Sequence, residues 1–276
     1  MSAQLFLVPT PIGNLGDLSP RICEVLAAAD FIAAEDTRVT LKLLNHLSLH
    51  KPLVSYHEHN KAESGERIAA RILGGETCVL VSDAGTPAIS DPGEDLVRLC
   101  AEKDIPVTAV CGPCAAITAL AVSGLPTGRF TFEGFLSVNK KSRADHLSSL
   151  VSETRTMIFY EAPHKLQKTL EDLSGVFGTD RRISLCRELT KLHEEIFRTT
   201  LGEAVEHYRA EPPRGEFVLI VQGAPASAVE ELSPEAAAEL VRRQIANGVR
   251  TKDAVRAVAE QTGIAKNLLY DLVVKA

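Results

Sequence analysis

Val79-Leu-Val-Ser-Asp-Ala-Gly-Thr-Pro-Ala-Ile-Ser-Asp-Pro-Gly93 is an apolar strand that empties into twelve residues chosen for backbone shape rather than bulk. Small residues and prolines let main chain approach a ligand closely, and open α/β sheets bind ligands just past the carboxyl ends of their strands. The segment therefore reads as a ligand-binding loop. A plain connecting turn is the alternative, because turns draw on the same residues.

On both sides of this segment strand and helix signals alternate. Leu5 to Val8 is a short apolar run, and Ser19-Pro20 supplies an N-cap and a first-turn proline for a helix through Ala29. Strands follow at Phe31 to Ala34, Leu53 to Tyr56, Cys78 to Val81 and Val107 to Val110, with helices between them near Leu41 to Leu47, Glu63 to Leu73 and Glu94 to Lys103. Ala115 to Val122 completes this half as a helix. Such alternation predicts a mostly parallel sheet. Ser123-Gly-Leu-Pro-Thr-Gly128 is the expected linker between domains 1–122 and 129–223.

The second half has strands at Phe130 to Phe135, Thr156 to Tyr160, Ile183 to Cys186, Glu195 to Thr200 and Phe217 to Val221. Its helices are expected near Asp145 to Val151, His164 to Leu173 and Gly202 to Tyr208. Glu195-Ile-Phe-Arg-Thr-Thr200 alternates apolar and polar residues, so this sheet should be mixed and partly solvated. Residues 224–276 read as a wholly helical tail, with starts at Ser233-Pro-Glu, Thr251 and Gly263. The last two helices, broken at Gly263, have helix-turn-helix spacing; a helical hairpin or a dimerisation element fits equally.

The 276 residues, 45% apolar and 24% charged, describe a globular chain able to bury a sizeable core. No basic leader precedes an apolar run, and no window approaches the roughly 18 apolar residues of a membrane span, so a cytosolic protein without membrane attachment is expected. The six cysteines lie within apolar runs, which suits reduced thiols. Cys111-Gly-Pro-Cys114 has redox spacing but lacks a thioredoxin-like context. A net charge of −6 argues against indiscriminate nucleic-acid binding. Yet from Arg242 onward there are seven cations against three anions, so a basic tail accompanies an acidic body.

Four glycine- or proline-rich loops follow predicted strands: Pro9 to Asp17, the Ser82 to Gly93 loop, Cys111 to Ala116 and Glu161 to His164. None matches the phosphate-binding lysine loop, and Gly13-Asn-Leu-Gly16 is not the dinucleotide pattern. A ligand without phosphates, held largely by backbone groups, fits better.

Taken in order, Pro9-Thr-Pro-Ile-Gly-Asn-Leu-Gly-Asp-Leu-Ser19, Ala34-Glu-Asp-Thr-Arg38, Val81 to Gly93, Phe159-Tyr-Glu-Ala-Pro-His-Lys165 and Arg214-Gly-Glu-Phe-Val-Leu219 resemble the tetrapyrrole-methylase superfamily. Within it they are similar to the branch that methylates the 2′-hydroxyl of a cytidine in 16S ribosomal RNA of the 30S subunit. The resemblance implies a two-domain α/β class III methyltransferase fold, S-adenosylmethionine in the cleft between the domains, a homodimer, and a C-terminal helical extension. The superfamily's first loop, G-x-G-P-G-D, keeps only its proline here, as Pro11, while its glycine positions become Val8, Thr10 and Ile12. Its second cofactor loop falls on Ala84 to Ile89, implying contacts from Ala84, Gly85, Thr86 and Ile89. Cys114, Ala115, Ala162 and Leu189 carry over as further cofactor contacts, which makes Cys114 a small apolar wall rather than a redox group.

Methyl transfer to a ribose hydroxyl is an in-line displacement that needs alignment, exclusion of water and a base. Glu35, Asp36 and Arg38, just past the second strand, are the catalytic candidates, with an ordinary helix-capping turn as the alternative. His57, in Tyr56-His-Glu-His-Asn60, is a candidate for RNA contact or base, and Asp83 is a further base candidate. His57 and His59 could suggest a metal site, but methyl transfer needs none and no metal is expected. Lys140, Lys141 and Arg143, read as a loop, and Arg250, Lys252 and Lys266 in the tail are the RNA-binding candidates. Two rival readings stay open: a methylase of small tetrapyrroles, and a non-enzymatic RNA-binding protein that senses the cofactor.

Overall fold

The computed structural model describes residues 3–225, 234–246, 249–262 and 264–274. In chain order the elements are β1 (Leu5–Leu7), α1 (Pro20–Ala28), β2 (Phe31–Ala34), α2 (Thr37–His46), β3 (Leu53–Ser55), α3 (Lys61–Leu73), β4 (Cys78–Val81), α4 (Glu94–Glu102), β5 (Val107–Ala109) and α5 (Ala115–Val122). There follow β6 (Phe130–Phe135), α6 (Lys140–Ser149), β7 (Thr156–Glu161), α7 (Pro163–Phe177), β8 (Arg182–Arg187), β9 (Glu195–Thr200), α8 (Leu201–Ala210) and β10 (Phe217–Val221). Three helices close the chain: α9 (Pro234–Ala246), α10 (Thr251–Thr262) and α11 (Lys266–Val274).

The first sheet has the order β3-β2-β4-β1-β5 and is parallel throughout. Its strands read as unbroken apolar runs because both faces are covered. Leu5, Phe31, Ala33, Cys78 and Leu80 pack on one side with Ile68 and Leu96, from α3 and α4. Their strand neighbours Phe6, Ile32, Ala34, Val79 and Val81 pack on the other with Ile22, Leu26 and Leu44, from α1 and α2. Side chains alternate across each strand, so one run feeds two cores. β4 is the central strand, which places the Ser82 to Gly93 loop at the middle of the sheet's carboxyl edge.

The second sheet, β6-β7-β10-β8-β9, is mixed: β6 and β7 are parallel and the other pairs antiparallel. Met157, Phe159, Leu185, Leu219 and Val221 meet Leu166, Leu170 and Leu173 of α7 on one face. On the other face Ile158, Val218 and Ile220 meet Ala116, Ala119 and Leu120 of α5. α5 thus precedes the expected linker in the chain yet packs on the second sheet. Apolar matching across space, rather than chain order, decides where it lies.

Two expectations change. α2 begins at Thr37 rather than near Leu41, because the Asp36 side chain accepts from the Arg38 N–H and caps the helix. The expected loop at Asn139 to Arg143 is the first turn of α6: the Asn139 side chain accepts from Lys141 and Ser142 N–H groups at 3.0 and 3.1 Å. Asparagine is among the strongest N-caps, and that signal outweighs the polar character of Lys140 to Arg143.

Residues 1–223 form one compact unit and 224–276 another. In the second, Ala237, Val241, Ala254, Val255, Val258, Ala259 and Leu269 make a small core between three helices. Arg242 donates to the Leu272 carbonyl at 2.8 Å, tying α9 to α11. The expected helix start at Ser233, the break at Gly263 and the charge at Lys275 fall outside the described residues. No helix among the described residues is long and apolar enough to cross a membrane.

Candidate active site

Loops far apart in sequence are stitched at the carboxyl edge of the first sheet by main-chain and short side-chain bonds. Thr10 and Gly85 exchange N–H to carbonyl bonds at 2.9 and 3.0 Å, and the Thr10 hydroxyl donates to the Ser82 carbonyl at 3.1 Å. The Thr86 hydroxyl donates to the Pro113 carbonyl at 2.8 Å. Gly85 has φ +82°, a conformation that side chains rarely adopt, and a Cβ there would crowd a methyl of Ile12 at 3.2 Å. From the second sheet the Tyr160 hydroxyl accepts the Ala116 N–H at 3.1 Å, joining β7 to the start of α5. Burial pushes that phenol up to about 12.

These stitches frame a cavity of about 480 Å³ between the two sheets. Its walls include Ala84, Gly85, Thr86, Ile89, Cys114, Ala115, Ala162 and Leu189, all expected as cofactor contacts from the sequence. Pro11 is not among the lining residues; its neighbour Ile12 is, because the Thr10 to Gly85 bridge turns that side chain inward. The sequence reading missed Phe135, Tyr160, Glu161, Glu216, Phe217, Val218 and Asp91. Most are strand residues whose facing depends on how the two sheets meet. Asp91 lies inside the Val79 to Gly93 stretch, where it reads as a turn residue.

Alongside lies a second, polar groove of about 550 Å³, lined by His57, His59, Lys61, Ser90, Gly93 and Glu94 among others. Glu35 and Asp91 belong to both spaces. The loop between them is strained: Ala88 and Ser90 take φ of +66° and +75°, and a Cβ on Gly93 would meet the Ala88 Cβ at 2.8 Å. Left-handed conformations of non-glycine residues persist only where the surroundings impose them, typically at ligand sites.

Of the catalytic candidates, Glu35 reaches both spaces, whereas Asp36 and Arg38 line neither. Arg38 forms a forked pair with Asp36, with bonds of 2.6 to 3.1 Å, and is itself 87% exposed. Those hydrogen bonds hold the Asp36 carboxyl down at about 2, which makes it a poor base. The Asp36 backbone N–H meanwhile donates to Asp83 at 3.1 Å. Asp36 and Arg38 thus pair with each other outside both spaces, and the Asp36 backbone holds Asp83.

Burial raises the Glu35 carboxyl above the ordinary range, and the charges of Asp91 and Asp83 raise it further. Asp91 is raised by burial and then by Asp83. Asp83, on the exposed rim, is raised by its own partial dehydration. A carboxyl raised in the folded state binds its proton more tightly there than in the unfolded chain. Stability is therefore greatest below the unfolded pKa and declines as pH rises through the folded one. Asp91→Asn should accordingly melt at a higher temperature than wild type at pH 8, with the difference shrinking by pH 4. An equal Tm at both pH values, read by calorimetry, would remove the mutual repulsion.

His57 lines the polar groove, and its Nδ1 is buried without a hydrogen-bond partner. Lys140 and Lys141 are exposed on the first turn of α6. Arg143, by contrast, is largely covered. Its side chain is 11% exposed, bonded to Asp172 at 2.6 Å and to Thr169 at 2.8 Å, because the helical turn at Lys140 directs it onto α7. Arg250 and Lys252 are exposed around the start of α10, and Lys266 at the start of α11.

The sequence profile of the Tetrapyrrole (Corrin/Porphyrin) Methylases matches residues 4–205. A protein of Synechocystis sp. named ribosomal RNA small subunit methyltransferase I is 46% identical over 268 residues, covering 97% of this chain and 96% of that one. Its namesake in Halalkalibacterium halodurans is 47% identical over 274 residues, covering 97% and 93%. Among solved structures, uroporphyrin-III C-methyl transferase from Thermus thermophilus, in complex with S-adenyl homocysteine, superposes with a TM-score of 0.53 at 16% identity, over 79% of this chain and 96% of that one.

Proposed function

Since the chain belongs to the tetrapyrrole methylase family, we propose that it is an S-adenosylmethionine-dependent ribosomal RNA methyltransferase acting on the 2′-hydroxyl of a cytidine in 16S RNA of the small subunit. The observation that carries this reading is the meeting of the two spaces at Glu35 and Asp91. One is a mainly apolar cavity for a donor, with Ala84, Gly85, Ala115 and Ala162 in its walls, and the other a polar groove for an acceptor. A volume of about 480 Å³ lies within the range of small-molecule sites, and walls of Ala84, Gly85, Ala115 and Ala162 let the backbone do the holding. The residues present therefore fit S-adenosylmethionine, whose sulfonium supplies the methyl group.

Glu35 takes the proton of the acceptor hydroxyl, and its raised carboxyl brings base strength closer to that of the alcohol it serves. Cavity walls on one side and the groove on the other hold the reactants in line. Exposed Lys140, Lys141, Arg250 and Lys252, with Lys266, supply phosphate contacts to a large RNA, which a small tetrapyrrole would not require. This separates the proposal from a tetrapyrrole methylase on the same fold. The same reading makes the chain a homodimer, since Phe130 and Phe132 on edge strand β6 and Val138 just beyond it, 39%, 37% and 82% exposed, suit cover by a second copy.

The test is transfer of labelled methyl from S-adenosylmethionine to 30S subunits lacking the modification, followed by mapping of the label to base or ribose. Ribose label on a cytidine is expected; cofactor binding without transfer to RNA would sink the proposal. In the same assay Lys140→Gln with Lys141→Gln should raise KM for subunits and reduce the salt dependence by about two phosphate contacts. An unchanged salt slope would take these lysines out of the interface.

A further inference from the structure

Glu161 closes β7, lines the donor cavity, and is 4% exposed. Both of its oxygens are held. Oε1 accepts the N–H of Ala162 at 2.9 Å, and Oε2 accepts the hydroxyl of Thr169 at 2.5 Å. Thr169, within α7 and 1% exposed, in turn accepts from Arg143 Nη2 at 2.8 Å. Arg143 reaches from α6, and its Nε donates to Asp172 at 2.6 Å. A buried polar line thus runs from an ion pair at the surface of α7, through a threonine, to a carboxylate on the cavity wall.

We propose that Glu161 is a cofactor-binding carboxylate, and that Thr169 and Arg143 are positioning residues that hold it towards the donor. This rests on reading the cavity as the S-adenosylmethionine site. A carboxylate oxygen has two acceptor sites. With one bond to each oxygen inside the protein, Glu161 keeps capacity for a donor from the cavity. The cofactor offers an ammonium, two ribose hydroxyls and an adenine amine, all donors and all retained in S-adenosylhomocysteine.

The polar line also explains why such a group is worth burying. An isolated carboxylate at 4% exposure loses its hydration, and hydrogen bonds are what offset that loss. Donation from Arg143 into the threonine oxygen polarises the hydroxyl and strengthens its bond to Glu161. Holding the rotamer in advance lowers the ordering cost when the cofactor enters. Arg143 therefore acts on the methyl donor, although its lysine-rich neighbourhood suggests RNA.

The experiment is calorimetric titration of the full-length protein with S-adenosylmethionine and, separately, S-adenosylhomocysteine, with no RNA present. Glu161→Gln should raise Kd for both about 10- to 100-fold, the range for a lost hydrogen bond to a charged group. Thr169→Val, which keeps shape and removes the hydroxyl, should raise both about 3- to 10-fold, the net worth of one hydrogen bond, and Thr169→Ser should restore them to within about twofold. Arg143→Met should weaken both ligands and leave KM for 30S subunits unchanged. Wild-type Kd in Thr169→Val, equal weakening in Thr169→Ser, or a raised subunit KM with normal cofactor binding in Arg143→Met would each overturn the relay. Failure of the wild-type protein to bind either ligand would instead overturn the cofactor reading itself, so the two failures are distinguishable.

Discussion

Glu35→Gln is expected to lower kcat for methyl transfer about 10²- to 10⁴-fold, the usual worth of a positioned general base, while Kd for S-adenosylmethionine stays within about twofold. Glutamine preserves the shape of the side chain that lines both cavity and groove and removes only its ability to take a proton. Two of the acids near it are worse placed for the task. Asp36 is committed to Arg38, and Asp83 already accepts the Asp36 backbone N–H. The pH profile supplies a second reading. A base works deprotonated, so activity falls as pH drops through its pKa, and burial with two acidic neighbours moves that fall to higher pH than for an ordinary glutamate. The acidic limb should disappear in Glu35→Gln, leaving a low, flatter profile. A variant within about fivefold of wild type, or one that keeps the limb, would hand the proton to another group.

Phe159→Ala should cost about 3–5 kcal/mol of stability, the range for emptying an aromatic site in a packed core. Phe159 is 0% exposed on β7, next to the edge strand β6 and paired with β10, in the main cluster between the second sheet and its helices. Leu166, Leu170, Leu173 and Leu185 of the same cluster are equally buried, so the void stays largely empty. At about 2–4 °C per kcal/mol for a chain of this size, Tm should fall by roughly 10 °C. The same strand continues into Tyr160 and Glu161, so the loss should extend to cofactor affinity even below the new Tm. A fall of less than about 1 kcal/mol in denaturant unfolding would mean that the core collapses onto the site.

The central strands of each sheet were readable because burial on both faces leaves continuous apolar runs, from Phe31 to Ala34 and from Phe217 to Val221 alike, while β9 showed itself by alternation. Helix starts were less readable. At Asp36 and Asn139 the cap lies ahead of any apolar periodicity, and the chain enters the helix before the hydrophobic pattern shows it. The donor cavity was half legible. Loop residues such as Ala84, Gly85 and Thr86 announce themselves by smallness, while Tyr160, Phe217 and Val218 look like any strand residues until a second sheet faces them.

Local chemistry alone was enough for the alternating layers, the apolar strand emptying into the Ser82 to Gly93 loop, and the small residues in the cavity's loop walls. These arise from short-range rules: side-chain period along a strand, and glycine or proline where the backbone must turn. The allotment of charged groups did not come from such rules. Glu35, Asp36 and Arg38 are near neighbours in the chain, yet one faces the cavity and two pair with each other. Arg143 sits among lysines, yet Thr169 and Asp172 claim it from a different helix. A charge acts through whatever lies within a few ångströms of it, and those neighbours exist only once distant segments have packed together.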